Sequence, residues 1–118
     1  MGSGIFKSLE STTAVSRLPE TIPESFALEQ NYPNPFNATT TIQFSIPQSG
    51  HVKLTLLNIL GEELTTLLNE SLNAGTYKFT WDASNFSSGV YFYRLQVKLK
   101  NSKSNVIFEK TRRLTLIK

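Results

Sequence analysis

The amino-acid sequence predicts an all-β fold: a small antiparallel β-sandwich of about six or seven strands, preceded by an irregular linker. From Thr40 onward, apolar and polar residues alternate in successive short runs. Turn residues separate these runs every 8 to 12 residues or so, the spacing of a sandwich. No stretch beyond residue 30 carries a helical period.

In the first run Ile42, Phe44 and Ile46 alternate with Thr41, Gln43 and Ser45, which marks a half-buried strand. Pro47-Gln48-Ser49-Gly50 turns the chain, and Val52, Leu54 and Leu56 then alternate with His51, Lys53 and Thr55. Leu57, Ile59 and Leu60 break the alternation just before Gly61. The break predicts a bulge or a twisted strand end, with Gly61 at a positive-φ turn position and Glu62 to Leu68 returning as a third strand. After the turn at Asn73-Ala74-Gly75, Tyr77, Phe79 and Trp81 point to one side and Lys78 and Thr80 to the other. Asp82 to Ser88 reads as a polar loop tethered by Phe86, in which Asp82 accepts hydrogen bonds from its own turn. Gly89 opens the longest strand, with Tyr91, Tyr93, Leu95, Val97 and Leu99 inward and Arg94, Gln96 and Lys98 outward. A polar turn over residues 101–105 leads to the last strand, which places Val106, Phe108, Leu114 and Leu116 on one face.

The core expected from this pattern is Ile42, Phe44, Leu54, Leu56, Phe79, Trp81, Tyr91, Tyr93, Leu95 and Leu116. The layering is immunoglobulin-like, but the chain has no cysteine and hence no inter-sheet disulfide. Trp81 and the other aromatics must anchor the core alone, each buried one contributing roughly 1.5–3 kcal/mol.

Residues 1–27 are expected to lie outside the sandwich, which would occupy residues 28–118. Met1-Gly2-Ser3-Gly4 reads as a cloning scar. Ser and Thr dilute the pattern over residues 5–27, and Pro19 and Pro23 interrupt any helix beyond a short one at Ser8–Ser16. The 118 residues suffice for one domain with a modest core, and the chain is expected to be the C-terminal piece of a larger protein. No apolar run approaches the ~20 residues of a membrane-spanning helix.

The composition argues against catalysis. His51 is the only histidine, beside a turn, and reads as a solvated residue. With no cysteine to assist it, a zinc site would need carboxylates that the strands do not cluster, so no metal, cofactor or catalytic residue is expected. Glu62 and Glu63 are adjacent on a strand and project to opposite faces, which rules out a paired acid and base. No phosphate-binding loop or nucleophile elbow is present. Three glycosylation-type triplets, at Asn37, Asn69 and Asn85, are too short a pattern to carry weight. Eight of the twelve basic residues fall in the last 25 positions: Arg94, Lys98, Lys100, Lys103, Lys110, Arg112, Arg113 and Lys118, accompanied only by Glu109. Alternation with apolar residues makes these first of all a solvated outer face rather than a nucleic-acid surface.

One run stands out, Leu28-Glu29-Gln30-Asn31-Tyr32-Pro33-Asn34-Pro35-Phe36-Asn37 leading into Thr39-Thr40-Thr41-Ile42. Its two prolines fix φ and favour extended geometry at Tyr32 and Asn34, giving a stiff, hydrogen-bond-poor approach to the first strand with Tyr32 and Phe36 as apolar anchors. Together with Trp81-Asp82-Ala83-Ser84-Asn85, Ser88-Gly89-Val90-Tyr91-Phe92-Tyr93-Arg94-Leu95 and the closing Leu114-Thr115-Leu116-Ile117-Lys118, it resembles the type A C-terminal sorting domain of the type IX secretion system, the Por secretion tail family. The resemblance covers roughly residues 26 to 118; Ala38 departs from it where another proline is common.

The resemblance implies a non-enzymatic signal that directs an N-terminal passenger across a bacterial outer membrane. Its partners would be the type IX translocon and outer-membrane sortase and shuttle proteins. The route would run through the periplasm to the cell surface or the medium, with cleavage in the preceding linker, between Glu10 and Ala27. Candidate recognition residues are Tyr32, Pro33, Pro35, Phe36, Gly89, Lys110, Arg112, Arg113 and Lys118. A structural or adhesive immunoglobulin-like module, similar to a flagellar hook-cap domain or to modules appended to extracellular enzymes, is the alternative, because fold alone does not select function. Placement of the last strand at the end of the chain favours sorting.

Overall fold

The computed structural model describes residues 15–17, 22–99 and 106–118. They form two four-stranded antiparallel sheets. Six long strands carry the fold: β3 (Thr39–Ile46), β4 (Gly50–Leu57), β5 (Glu63–Leu72), β6 (Gly75–Asp82), β7 (Gly89–Lys98) and β8 (Val106–Leu116). Two short ones, β1 (Val15–Arg17) and β2 (Ala27–Leu28), add to the edges of the first sheet. The strand orders are β1-β6-β3-β2 and β5-β4-β7-β8. The chain crosses between sheets after β3, β5 and β6, while β4 and β5 form a tight hairpin within the second sheet.

Alternation decides which face is buried. Ile42, Phe44 and Ile46 of β3, Val52, Leu54 and Leu56 of β4, and Tyr93, Leu95 and Val97 of β7 are buried between the sheets. Tyr77, Phe79 and Trp81 of β6 meet them from the first sheet, with Tyr77 stacked on Phe44 at a centroid separation of 5.5 Å. Phe86 closes one end by edge contacts with Trp81 (5.3 Å) and Tyr91 (6.1 Å), so the tether expected for the polar loop is in place. The bulge expected near Gly61 is found in the β4–β5 register, which shifts after Leu54 and again after Leu56. Gly61 has φ of +83°.

Several expectations are corrected. Val15–Arg17 pairs with β6 rather than forming the end of a helix, and Ala27–Leu28 pairs with β3. The rest of the suggested helix, residues 8–14, lies outside the described residues, as does the expected turn at 101–105. The third strand starts one residue later than expected and runs on to Leu72. Tyr91 is partly buried and packs against the core from its margin. Leu99 and Val106 are exposed, because they flank the β7–β8 connection beyond the reach of the opposite sheet. His51 is half-buried rather than solvated, its ring nitrogens hydrogen-bonded to Asn69 and Ser71 on β5.

Gly50 is required by close approach. A Cβ there would stand 2.7 Å from the Lys98 carbonyl oxygen and 2.9 Å from Val97 Cγ1, and the carbonyl belongs to a paired strand that cannot withdraw. We expect Gly50→Ala to lower unfolding stability by about 1–3 kcal/mol, read from urea midpoints, whereas Gly61→Ala should cost only the strain of its positive φ.

Candidate functional site

Segment Glu29–Asn37 runs along the open side of the sandwich, from β2 at the edge of one sheet to β8 at the edge of the other. Its backbone first bridges β3, where the Tyr32 N–H donates to the Thr41 carbonyl (2.9 Å) and the Thr41 N–H donates back (3.0 Å). It then bridges β8 in parallel. The Phe36 N–H donates to the Thr115 carbonyl (3.0 Å) and the Ile117 N–H to the Phe36 carbonyl (2.8 Å). Phe36 is fully buried, 5.9 Å from Trp81 between ring centres. The segment is therefore a strap between the two sheets, and the expectation that it is poor in hydrogen bonds is overturned.

A buried polar cluster holds the strap. The Asn31 N–H donates to the Tyr93 hydroxyl (2.8 Å), and that hydroxyl donates to the Glu29 carbonyl (2.8 Å). Asn31 Nδ2 donates to Thr40 Oγ1 (3.0 Å) and to the Pro33 carbonyl (3.1 Å), and Thr40 Oγ1 donates to the same carbonyl (2.9 Å). Buried polar groups must be paired to be tolerated, and here the peptide groups of the strap are paired by side chains. Burial pushes the Tyr93 hydroxyl pKa up to about 12, opposed by the Asn31 N–H and by Arg112 and reinforced by the Glu29 carboxylate.

Three more contacts clasp β8 from outside the core. Gln30 Nε2 donates to the Arg113 carbonyl (2.7 Å), the Thr115 N–H donates to Asn34 Oδ1 (3.0 Å), and Arg112 Nε donates to the Leu28 carbonyl (2.5 Å). At the end of β8, Lys118 Nζ donates to the Ser84 carbonyl (2.6 Å) and the Lys118 N–H to Ser88 Oγ (3.0 Å). The Asp82 carboxyl, which accepts from the hydroxyl and N–H of Ser84, is held below the usual carboxylate range by those bonds, with Lys118 adding a smaller attraction. The self-capping turn expected at Asp82 is thus observed.

The predicted recognition residues do not form one patch. Phe36, Gly89 and Lys118 gather at one end of the sandwich, where Gly89 pairs with Leu116 and Leu116 bridges Phe36. Tyr32 is not an anchor: it is 80 % exposed, because the strap is fixed by its neighbour Asn31 and by its own backbone. Pro33 and Pro35 are exposed, each following a cis peptide bond. Lys110 and Arg112 lie opposite the inward-facing Leu95 and Tyr93, whereas Arg113 lies opposite Phe92 and faces outward. Sequence reasoning missed Asn31, Asn34 and Thr40 as contributors. The available signal was a polar residue at a position of β3 adjoining a proline-fixed run.

These contacts join the strap and the last strand into one clasp, and the comparison with known families covers the strap but only the first residues of β8. The family model described as the secretion system C-terminal sorting domain matches residues 30–109, more than half of the chain. The chain belongs to this family. The match to the sorting domain begins at Gln30 inside the strap and ends at Glu109, just before the C-terminal cations. No curated protein matches the chain. Family membership makes this a type IX sorting signal, in a family of signal domains rather than enzymes, and implies export to the cell surface or beyond.

The buried hydroxyl yields a measurable consequence. Tyr93→Phe leaves the Asn31 N–H and the Glu29 carbonyl without their partner, which should lower stability by about 1–3 kcal/mol at neutral pH. Because the folded pKa lies above the ordinary value near 10, the contribution of this group is complete below pH ~10 and is lost as pH rises toward 12. Urea midpoints taken from pH 9 to 12 should therefore fall more steeply for the wild type than for Tyr93→Phe.

Proposed function

We propose that the chain is the folded address by which an N-terminal passenger is handed from the periplasm to the type IX translocon and its outer-membrane shuttle and sortase proteins. The observation carrying this reading is the family match over residues 30–109. The recognised surface is the strapped side of the sandwich, where Tyr32, Pro33 and Pro35 are exposed over the buried Phe36, with Gly89 and Lys118 at its end and Lys110 and Arg113 as separate positive charges along β8. Arg112 serves mainly to hold the Leu28 carbonyl. A folded tag is read as a shape, so a rigid clasp suits the task better than a flexible tail.

Processing is proposed between Glu10 and Ala27, followed by attachment or release of the passenger. Within that stretch Val15–Arg17 is paired in a sheet, while residues 22–25 have no strand partner and are largely exposed, which favours the latter for protease access.

The test fuses the chain behind an unrelated passenger that carries its own periplasmic export signal, in a bacterium with an active type IX system. Passenger should appear outside the cells, lacking the sorting domain, and should remain in the periplasm when the system is disabled. Secretion that retains the domain on the mature passenger would favour the structural or adhesive alternative. Combined Lys110→Gln and Arg113→Gln substitutions, which touch no backbone carbonyl of the strap, should leave the melting curve within about 0.5 kcal/mol of wild type per site and trap the passenger in the periplasm.

A further inference from the structure

The β4–β5 hairpin turns through Asn58-Ile59-Leu60-Gly61-Glu62. The Gly61 N–H donates to the Asn58 carbonyl (3.0 Å), the Asn58 N–H donates to the Glu62 carbonyl (3.0 Å), and Gly61 takes φ of +83°. This is a type I turn closed by a glycine bulge, one of the preferred hairpin connections. Asn58 fixes it further: Oδ1 accepts from the N–H groups of Leu60 (2.9 Å) and Glu62 (3.0 Å), and Nδ2 donates to Glu62 Oε1 (2.7 Å).

The two central positions are usually given to polar or turn-forming residues. Here they hold Ile59 and Leu60, which are 68 % and 78 % exposed. Exposed Leu64 follows on β5, and the pairing of Leu57 with Phe92 brings exposed Val90 to the same end of the sheet. That end also carries Gly89, Leu116 and the Phe36 bridge. A turn pinned by five hydrogen bonds thus presents two large aliphatic side chains to water, beside the clasp. Nothing in the fold needs them there, since neither belongs to the core.

The rim identifies the partner. Glu62 and Glu63 flank the tip, and Arg94 is paired with Glu63 at 2.6 Å, which, among the described residues, leaves the Glu62 carboxylate as the uncompensated charge beside it. An anionic lipid surface would gain no charge contact from such a rim, whereas a protein pocket with an apolar floor and a basic edge opposite Glu62 would be attracted. We propose that the Ile59–Leu60 tip is a preformed anchor that enters an apolar, basic-rimmed pocket on a protein of the type IX machinery. Preorganisation removes most of the ordering cost of binding, which suits a surface of only a few residues. This inference rests on the sorting function proposed above.

The test uses the passenger fusion with Ile59→Ser and Leu60→Ser together, and Leu60→Ser alone as the milder variant. Both substitutions suit a type I turn, so melting curves should stay near wild type. Secreted passenger should fall about tenfold or more for the double variant and by less for the single one. A photoreactive residue at position 60 should crosslink to a protein of the machinery, and one at position 78, on the outer face of β6, should not. If wild-type fusion is exported and a folded double variant is exported equally, this inference fails while the sorting function stands. If wild-type fusion is never exported, both fail. Crosslinks from position 60 to a second copy of the chain, or sedimentation with phosphatidylethanolamine–phosphatidylglycerol vesicles that depends on Ile59 and Leu60, would overturn it in favour of self-association or lipid binding.

Discussion

The hydrogen bond from the Asn31 N–H to the Tyr93 hydroxyl is the constraint on which the rest of the molecule depends. Two sheets packed face to face leave open sides, and on one of them the edges β2 and β8 bring unpaired peptide groups close together. The strap fills that side, but its own peptide groups then need partners at depth. Tyr93 provides the solution because its ring belongs to the core while its hydroxyl reaches the margin, where it serves Asn31 and Glu29 at once. Asn31 then spends its side chain on Thr40 and Pro33, so each polar group in the cluster has a partner. With Phe36 seated between Trp81 and β8, the strap joins the sheets by both apolar and polar contacts.

What the sequence made legible follows from period. β3 buries every second residue along its length, as do β4, β6 and β7 over part of theirs, and a pattern of that kind can be read without tertiary knowledge. β1 and β2 could not be read that way, since two or three residues cannot show an alternation and their pairing is decided by the neighbouring strand. The importance of the proline-flanked run was visible, yet its mechanics were not. Of the two aromatic anchors expected, Phe36 is seated in the core but Tyr32 is not, and the other end of the strap is held by Asn31, a polar residue whose role depends on a hydroxyl 62 residues away. Likewise the basic end of the chain read as one solvated outer face. Register divides it, sending Arg113 outward, Lys110 and Arg112 to the inward-facing side of the edge, and Lys118 onto the Ser84 carbonyl.

The division of charges has a structural use that coexists with recognition. β8 is an edge strand, and only its end is covered by Phe36. A charged residue on the inward-facing side of such an edge discourages another strand from adding there, because pairing would carry the charge toward an apolar face. Lys110 fits this role. Arg112 goes further, since its guanidinium satisfies a carbonyl of the opposite sheet and so ties the two edges across the gap.

Edge protection and exposed aliphatics answer the same requirement from opposite directions. A chain that must meet one partner among many has to be unattractive along its edges and attractive at one place. Along β8, charge and the strap suppress strand addition, which would be indifferent to side-chain identity. At the β4–β5 tip Asn58 already holds the N–H groups of Leu60, Gly61 and Glu62 within the turn, so attraction there comes chiefly from the side chains of Ile59 and Leu60. Selectivity then resides in shape and in the acidic rim rather than in backbone pairing. Because Gly89 and Leu116 connect that end of the sheet to the clasp, the position of the tip relative to the strap is fixed by the register of β4, β7 and β8. The clasp that stabilises the fold is thereby also the ruler that spaces its exposed features.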